Sequence, residues 1–207
     1  MSPAASPSNP FATRYIKPGA LEFIFPPDVS AHTLVERLAA QGWWGAILGP
    51  HGAGKSTLLR TLEGALAAAG RRCVWFRLSQ HEHSLPISTR VAASWDAGTQ
   101  IVVDGYEQLG WWSRWRLKRF CRQRGAGLLV TAHGPVGIAE LWRVEPSLPT
   151  TLAVVEQLLQ AQRAADDGQQ PPLVTDVDIA AAFERERGNV RETLFALYDV
   201  YQRRHVG

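Results

Sequence analysis

The run Gly49-Pro50-His51-Gly52-Ala53-Gly54-Lys55-Ser56 narrows the choice of fold more than any other part of the chain. It stands between a short apolar run, residues 43–48, and residues 56–69, where Leu58, Leu59, Leu62, Ala65, Leu66 and Ala69 recur at helical spacing and Gly70 is placed to end the helix. The segment therefore reads as strand, tight loop, helix. Small residues in such a loop let several backbone N–H groups converge on one anion, and the helix aims its positive N-terminus at the same point. The spacing G-x-x-x-x-G-K-[ST] adds a cation and a hydroxyl. The expected phosphate-binding set is Gly49, Pro50, His51, Gly52, Ala53, Gly54, Lys55, Ser56 and Thr57. In it, Lys55 neutralises the terminal phosphates and Ser56 offers an oxygen to magnesium.

Further apolar runs at 73–78, 101–104, 128–132 and 141–144 read as strands, and helical patterns at 34–39, 87–95 and 111–124 alternate with them. Parallel strands need crossover connections, so this alternation predicts an α/β fold: a parallel five-stranded sheet with helices on both faces. After Pro149 the strand signal stops. Residues 150–163 and 176–205 are helix-like and flank a polar stretch at 166–172, which predicts a small C-terminal helical lid. The expected division is a flexible tail over 1–10, a core over 11–146 and a lid over 147–207. Residues 11–27, aromatic but broken by Pro18, Pro26 and Pro27, suit an extended segment packed near the nucleotide rather than a helix.

Asp104 ends the run Ile101-Val102-Val103 and is expected at the carboxyl edge of the sheet on a strand neighbouring the loop, where ligands of open α/β sheets bind. There it would join Ser56 in holding magnesium. Glu107 is the nearest carboxylate for orienting a water; the residue directly after Asp104 is Gly105.

These elements together resemble the additional-strand P-loop NTPases, and among them AAA+ and related signalling ATPases, over roughly residues 11–205. The motifs that carry the resemblance are GPHGAGKS, IVVDGYE, the strand LLVTAH and the stretch Gly188-Asn189-Val190-Arg191-Glu192. The resemblance implies sensor roles for Thr131 or His133 and for Arg191 beside the terminal phosphate. Asn189 and Glu192 also make an N-cap pair, so the last stretch equally reads as the start of a helix. The Asp-Glu pair of hydrolytic members is absent and no arginine finger can be assigned.

Residues 111–124 read as a helix in which Arg114, Arg116, Lys118, Arg119, Arg122 and Arg124 interleave with Trp111, Trp112, Trp115, Leu117, Phe120 and Cys121. An amphipathic helix with a solvated basic face is the expectation. A contact surface for phosphates or an acidic partner is the alternative. No DNA- or RNA-binding signature accompanies it and the formal charge is only +3, so nucleic acid is not favoured.

The functional expectation is an ATP-binding, ATP-hydrolysing switch or small motor. Lys55, Glu107, Thr131, His133 and Arg191 are its catalytic or sensing candidates, Ser56 and Asp104 its metal ligands, and ATP with Mg2+ its cofactors. The alternatives are a small-molecule or nucleotide kinase and a module that binds ATP without hydrolysing it. A transporter ATPase is disfavoured by the missing L-S-G-G-Q segment, and guanine specificity by the missing N-K-x-D segment. A protein partner and homo-oligomerisation are compatible with this reading. Cys73 and Cys121 lack metal-ligand spacing and read as reduced core thiols. No leader-like or bilayer-length apolar run occurs, so a cytoplasmic protein is expected.

Overall fold

The computed structural model describes residues 9–16, 21–79, 82–85, 87–165 and 173–206. In chain order the elements are α1 (Thr13–Ile16), α2 (Ala31–Ala40), β1 (Trp44–Leu48), α3 (Lys55–Ala68), β2 (Arg72–Arg77), α4 (Thr89–Ala93), β3 (Thr99–Asp104), a 3-10 turn (Tyr106–Gln108), α5 (Trp111–Arg124), β4 (Gly127–Ala132), β5 (Glu140–Arg143), α6 (Leu148–Ala165), α7 (Asp176–Arg185) and α8 (Val190–Val206). They fall into two compact units. One comprises Phe25–Pro50 and Lys55–Val144; the other comprises the described residues of Met1–Ile24, His51–Gly54 and Glu145–Gly207.

The first unit is built on one five-stranded sheet in the order β2-β3-β4-β1-β5. Every pairing is parallel. Asp104 is thus not on the strand next to the loop-bearing β1, as the sequence pattern suggested: β4 lies between them. Alternation along each strand sends side chains to opposite faces. Ala46, Leu48, Ile101, Val103, Leu128 and Val130 pack with Leu117 and Cys121 of α5 and Ala92 of α4. Ile47, Val102 and Leu129, on the same strands, are also fully buried, as are Leu34 and Leu38 of α2 and Leu58, Leu59 and Leu62 of α3. Helices on both faces of a parallel sheet make this a P-loop NTPase-like α/β fold.

Local chemistry sets the helix boundaries. Ser30 and Thr33 form a reciprocal capping box at the start of α2. At its end the Gly42 N–H donates to Ala39 O and the Trp43 N–H to Leu38 O, the paired closure that satisfies the last carbonyls. Trp43 consequently takes a left-handed φ of 68°, so β1 begins one residue later than the apolar pattern suggests. The same pair of bonds closes α3 through Gly70 and Arg71, and α5 through Gly125 and Ala126. The helix expected over 87–95 is shorter, spanning Thr89–Ala93 behind the N-cap Ser88.

In the second unit, α6, α7 and α8 share a core of Val155, Leu158, Ile179, Ala182, Leu194 and Leu197, with Phe11 also fully buried in it. The helix-like stretch 176–205 is two helices, the second beginning after Asn189 as the N-cap reading of that residue anticipates. Arg187 and Gly188 take positive φ values of 52° and 78°, and the Gly188 N–H closes α7 on Phe183 O. Of the expected tail, residues 1–8 lie outside the described residues, as does the polar stretch 166–172. Asn9 is buried, its amide donating to Tyr198 O and to Gln202 Oε1. The extended reading of 11–27 is corrected at Thr13–Ile16, which form one helical turn.

Thr175 and Asp178 cap α7 reciprocally, and Asp178 also accepts a two-pronged contact from Arg204 at 2.6 and 2.8 Å. The Arg204 hydrogen bonds, with those from Thr175, hold the Asp178 carboxyl far below its ordinary range. A depressed folded-state pKa contributes stability above the unfolded value and loses it as pH falls. Asp178→Asn should therefore cost about 1 kcal/mol at neutral pH. The gap from wild type should narrow as pH drops below about 4. Urea unfolding at the two pH values measures this; a gap independent of pH would contradict it.

Candidate functional site

The glycine-rich loop leaves the carboxyl end of β1 and runs into the first turn of α3, where Lys55 is the first helical residue. Its side chain is 9% exposed and the ammonium donates to Gly49 O and Pro50 O, both at 2.7 Å. Burial pulls the Lys55 pKa down, while the carboxylates of Glu107 and Asp104 oppose the shift. The cation is thus held at the mouth of the loop by two carbonyls and by negative charge behind it.

Beside it, Asp104 Oδ1 accepts from Ser56 Oγ at 2.9 Å and from Thr131 Oγ1 at 2.8 Å. The Thr131 hydroxyl in turn accepts the Gly105 N–H at 2.8 Å. Ser56 lies in the first turn of α3, Asp104 ends β3 and Thr131 lies near the end of β4, so three elements of the fold deliver these oxygens to one point. Arg77, the last residue of β2, sits in register with Asp104 and places Nε 3.4 Å from its second oxygen.

After Asp104 the chain turns on Gly105, whose φ is 86° and whose added Cβ would lie 3.0 Å from Leu78 O. A glutamate there would face both a left-handed backbone and a backbone collision. The 3-10 turn that follows carries Glu107 back to the edge, where Oε1 lies 3.1 Å from His133 Nδ1. Glu107 Oε2 is buried and has no hydrogen-bond partner among the described residues. Arg114 braces the turn: Nε donates to Leu109 O and Nη2 to the Glu107 main-chain carbonyl, at 2.8 and 2.7 Å. Gly105→Ala should lower stability by about 1–3 kcal/mol. Thermal unfolding measures this, and an unchanged midpoint would show that the turn has no such requirement.

Ser56, Asp104 and Glu107 offer hard oxygen donors. No three of His, Cys, Asp and Glu form a metal-binding group among the described residues. Few protein oxygens beside a phosphate loop suit magnesium, which keeps several waters and shares its coordination with substrate phosphates. They do not suit an ion that needs an all-protein cage.

Of the residues singled out by sequence, Lys55, Ser56, Asp104, Glu107, Thr131 and His133 gather in the sheet-bearing unit. Arg191 belongs to the other, where its guanidinium lies over the Phe195 ring at 5.8 Å. In that same unit Asn189 caps α8, its Oδ1 accepting the Glu192 N–H at 3.2 Å. A Cβ added to Gly52, whose φ is 71°, would fall 1.8 Å from that Oδ1. Gly52 is therefore fixed by close approach to a helix cap as well as by its left-handed backbone.

Three contributions are not legible from sequence pattern alone. Arg77 carries a signal, a charge ending a strand in register with Asp104, but register needs the sheet order. Asn189 is visible only as a cap. Arg114 and Lys118 read as part of a solvated basic face; instead Arg114 holds the Glu107 turn and Lys118 donates to Gly137 O at 3.0 Å.

No family model matches the sequence, and no curated protein matches it. Among solved structures, that of C. elegans PCH-2 is similar with a TM-score of 0.44 and 11% identity, over 86% of this chain and 68% of that one. No helix among the described residues is long and apolar enough to cross a membrane.

Proposed function

We propose that this chain binds ATP with magnesium and hydrolyses it, as an AAA+-like nucleotide-dependent switch. The observation that carries the reading is the meeting of Ser56, Thr131 and Asp104 within 2.9 Å beside the Lys55 loop. Ser56 and Asp104 would hold the metal, and the loop amides with Lys55 would take the β- and γ-phosphates. Bound magnesium would supply charge neutralisation on those phosphates. Glu107 orients the attacking water with its unpaired Oε2, and His133 fixes the carboxylate through Oε1. Thr131 aligns Asp104, and Arg77 restrains that carboxylate's other oxygen.

Calorimetric titration tests the binding half. ATP should bind in the presence of magnesium and weaken about tenfold or more when the metal is chelated. Asp104→Asn should lose most of that metal dependence. Equal affinity with and without magnesium in the wild type would remove Ser56 and Asp104 from the role of metal ligands. Turnover that begins only when a phosphoryl acceptor is added would instead favour a kinase.

A further inference from the structure

The outer face of α5 is unusual for a helix that packs on a sheet. Leu117 and Cys121 face inward, yet Trp111, Trp112 and Trp115 are 68%, 69% and 48% exposed. The three indoles touch one another edge to face, with centroids 4.7 and 5.8 Å apart. They therefore form one aromatic patch rather than three scattered side chains, and a contiguous exposed apolar patch marks a binding surface. Arg116, Arg119 and Arg122 lie on the same helix. No aspartate or glutamate occurs between Glu107 and Glu140. None of the six cations of α5 is in an ion pair among the described residues; Arg114, Arg116 and Lys118 bond to carbonyls and Arg122 lies over the Trp44 ring, contacts that carry no compensating negative charge.

We propose that this face of α5 docks on an anionic lipid surface. Trp111, Trp112 and Trp115 enter the headgroup layer while Arg116, Arg119 and Arg122 lie against lipid phosphates. Indoles suit that layer because an apolar ring carries a polar N–H, and basic residues beside them are drawn to anionic lipid. The helix is about 21 Å long, with its exposed tryptophans in the first turns and its exposed arginines at and beyond them.

Charge and ring geometry argue against two other occupants, a second copy and single-stranded nucleic acid. A second copy of this face would bring uncompensated cations together. Single-stranded nucleic acid would meet the arginines, but its bases stack on open ring faces, and these rings meet edge to face at 68° and 87°, each pair covering part of one ring's face. Arg119 also covers the Trp115 ring at 5.7 Å.

Co-sedimentation of the full chain with vesicles is the test. Wild type should pellet with phosphatidylcholine vesicles that contain phosphatidylglycerol and remain in solution with phosphatidylcholine alone, and the binding should fall with added salt. Trp111→Ser with Trp112→Ser and Trp115→Ser, and separately Arg116→Gln with Arg119→Gln and Arg122→Gln, should each weaken it by about tenfold or more. Thermal unfolding by circular dichroism establishes that each variant is folded. The proposal is overturned if wild type ignores anionic vesicles or if folded variants bind them as wild type does. Tighter binding to a fluorescent single-stranded oligonucleotide than to the vesicles would give the face to nucleic acid instead.

Discussion

Lys55→Ala should weaken the binding of magnesium-ATP by about 100-fold or more and remove measurable phosphate release. The residue is largely buried and its ammonium rests on two carbonyls of its own loop. Burial pulls its pKa down while Glu107 and Asp104 oppose the shift, and in the proposed complex its ammonium would meet the terminal phosphates. Alanine removes the only long side chain at that position and leaves the loop amides to hold several negative charges unaided. Stability should change little by comparison, because the variant loses two hydrogen bonds but also sheds the desolvation penalty of a buried charge. Titration with a fluorescent ATP analogue, alongside thermal unfolding, separates the two effects. Affinity within about threefold of wild type would show that the loop does not bind phosphate through Lys55.

Glu107→Gln should have the opposite signature: ATP affinity within about threefold of wild type, and phosphate release lower by about 100- to 1000-fold. Glutamine preserves the volume and can still meet His133, but it cannot accept a proton from water. The buried, unpartnered Oε2 is the reason for expecting so large an effect at a single atom. An unpaired carboxylate oxygen away from water is costly unless a ligand or water completes it. Binding that fell with turnover would make Glu107 a structural support of the site. His133→Ala should show a milder version, since it frees Glu107 to rotate without removing it.

The order of strands and helices is legible in the sequence because each apolar run is short and bounded, and because each helix repeats at its own period. The strand, tight loop and helix around Lys55 are legible for a stronger reason: glycine, lysine and serine at fixed spacing leave few other structures open. Sequence pattern stops where a role depends on sheet order. That β4 lies between β1 and β3, and so carries Thr131 to Asp104, follows from pairing that no local pattern encodes. Arg77 escapes notice for the same reason. The glutamate that does not follow Asp104 looks like a deficiency in the sequence. The left-handed turn at Gly105 accounts for it and brings Glu107 to His133. The basic helix misleads because charge pattern alone does not distinguish a solvated arginine from one such as Arg114 that braces a turn.

Phosphate release in a single turnover, with wild-type protein in excess over ATP and magnesium as the only addition, tests the proposed chemistry most directly. One phosphate per ATP should appear, with the Glu107→Gln protein binding the same nucleotide and returning it intact. ATP that binds to wild type and is recovered unhydrolysed would contradict the assignment of Glu107 and leave a protein that only holds its nucleotide.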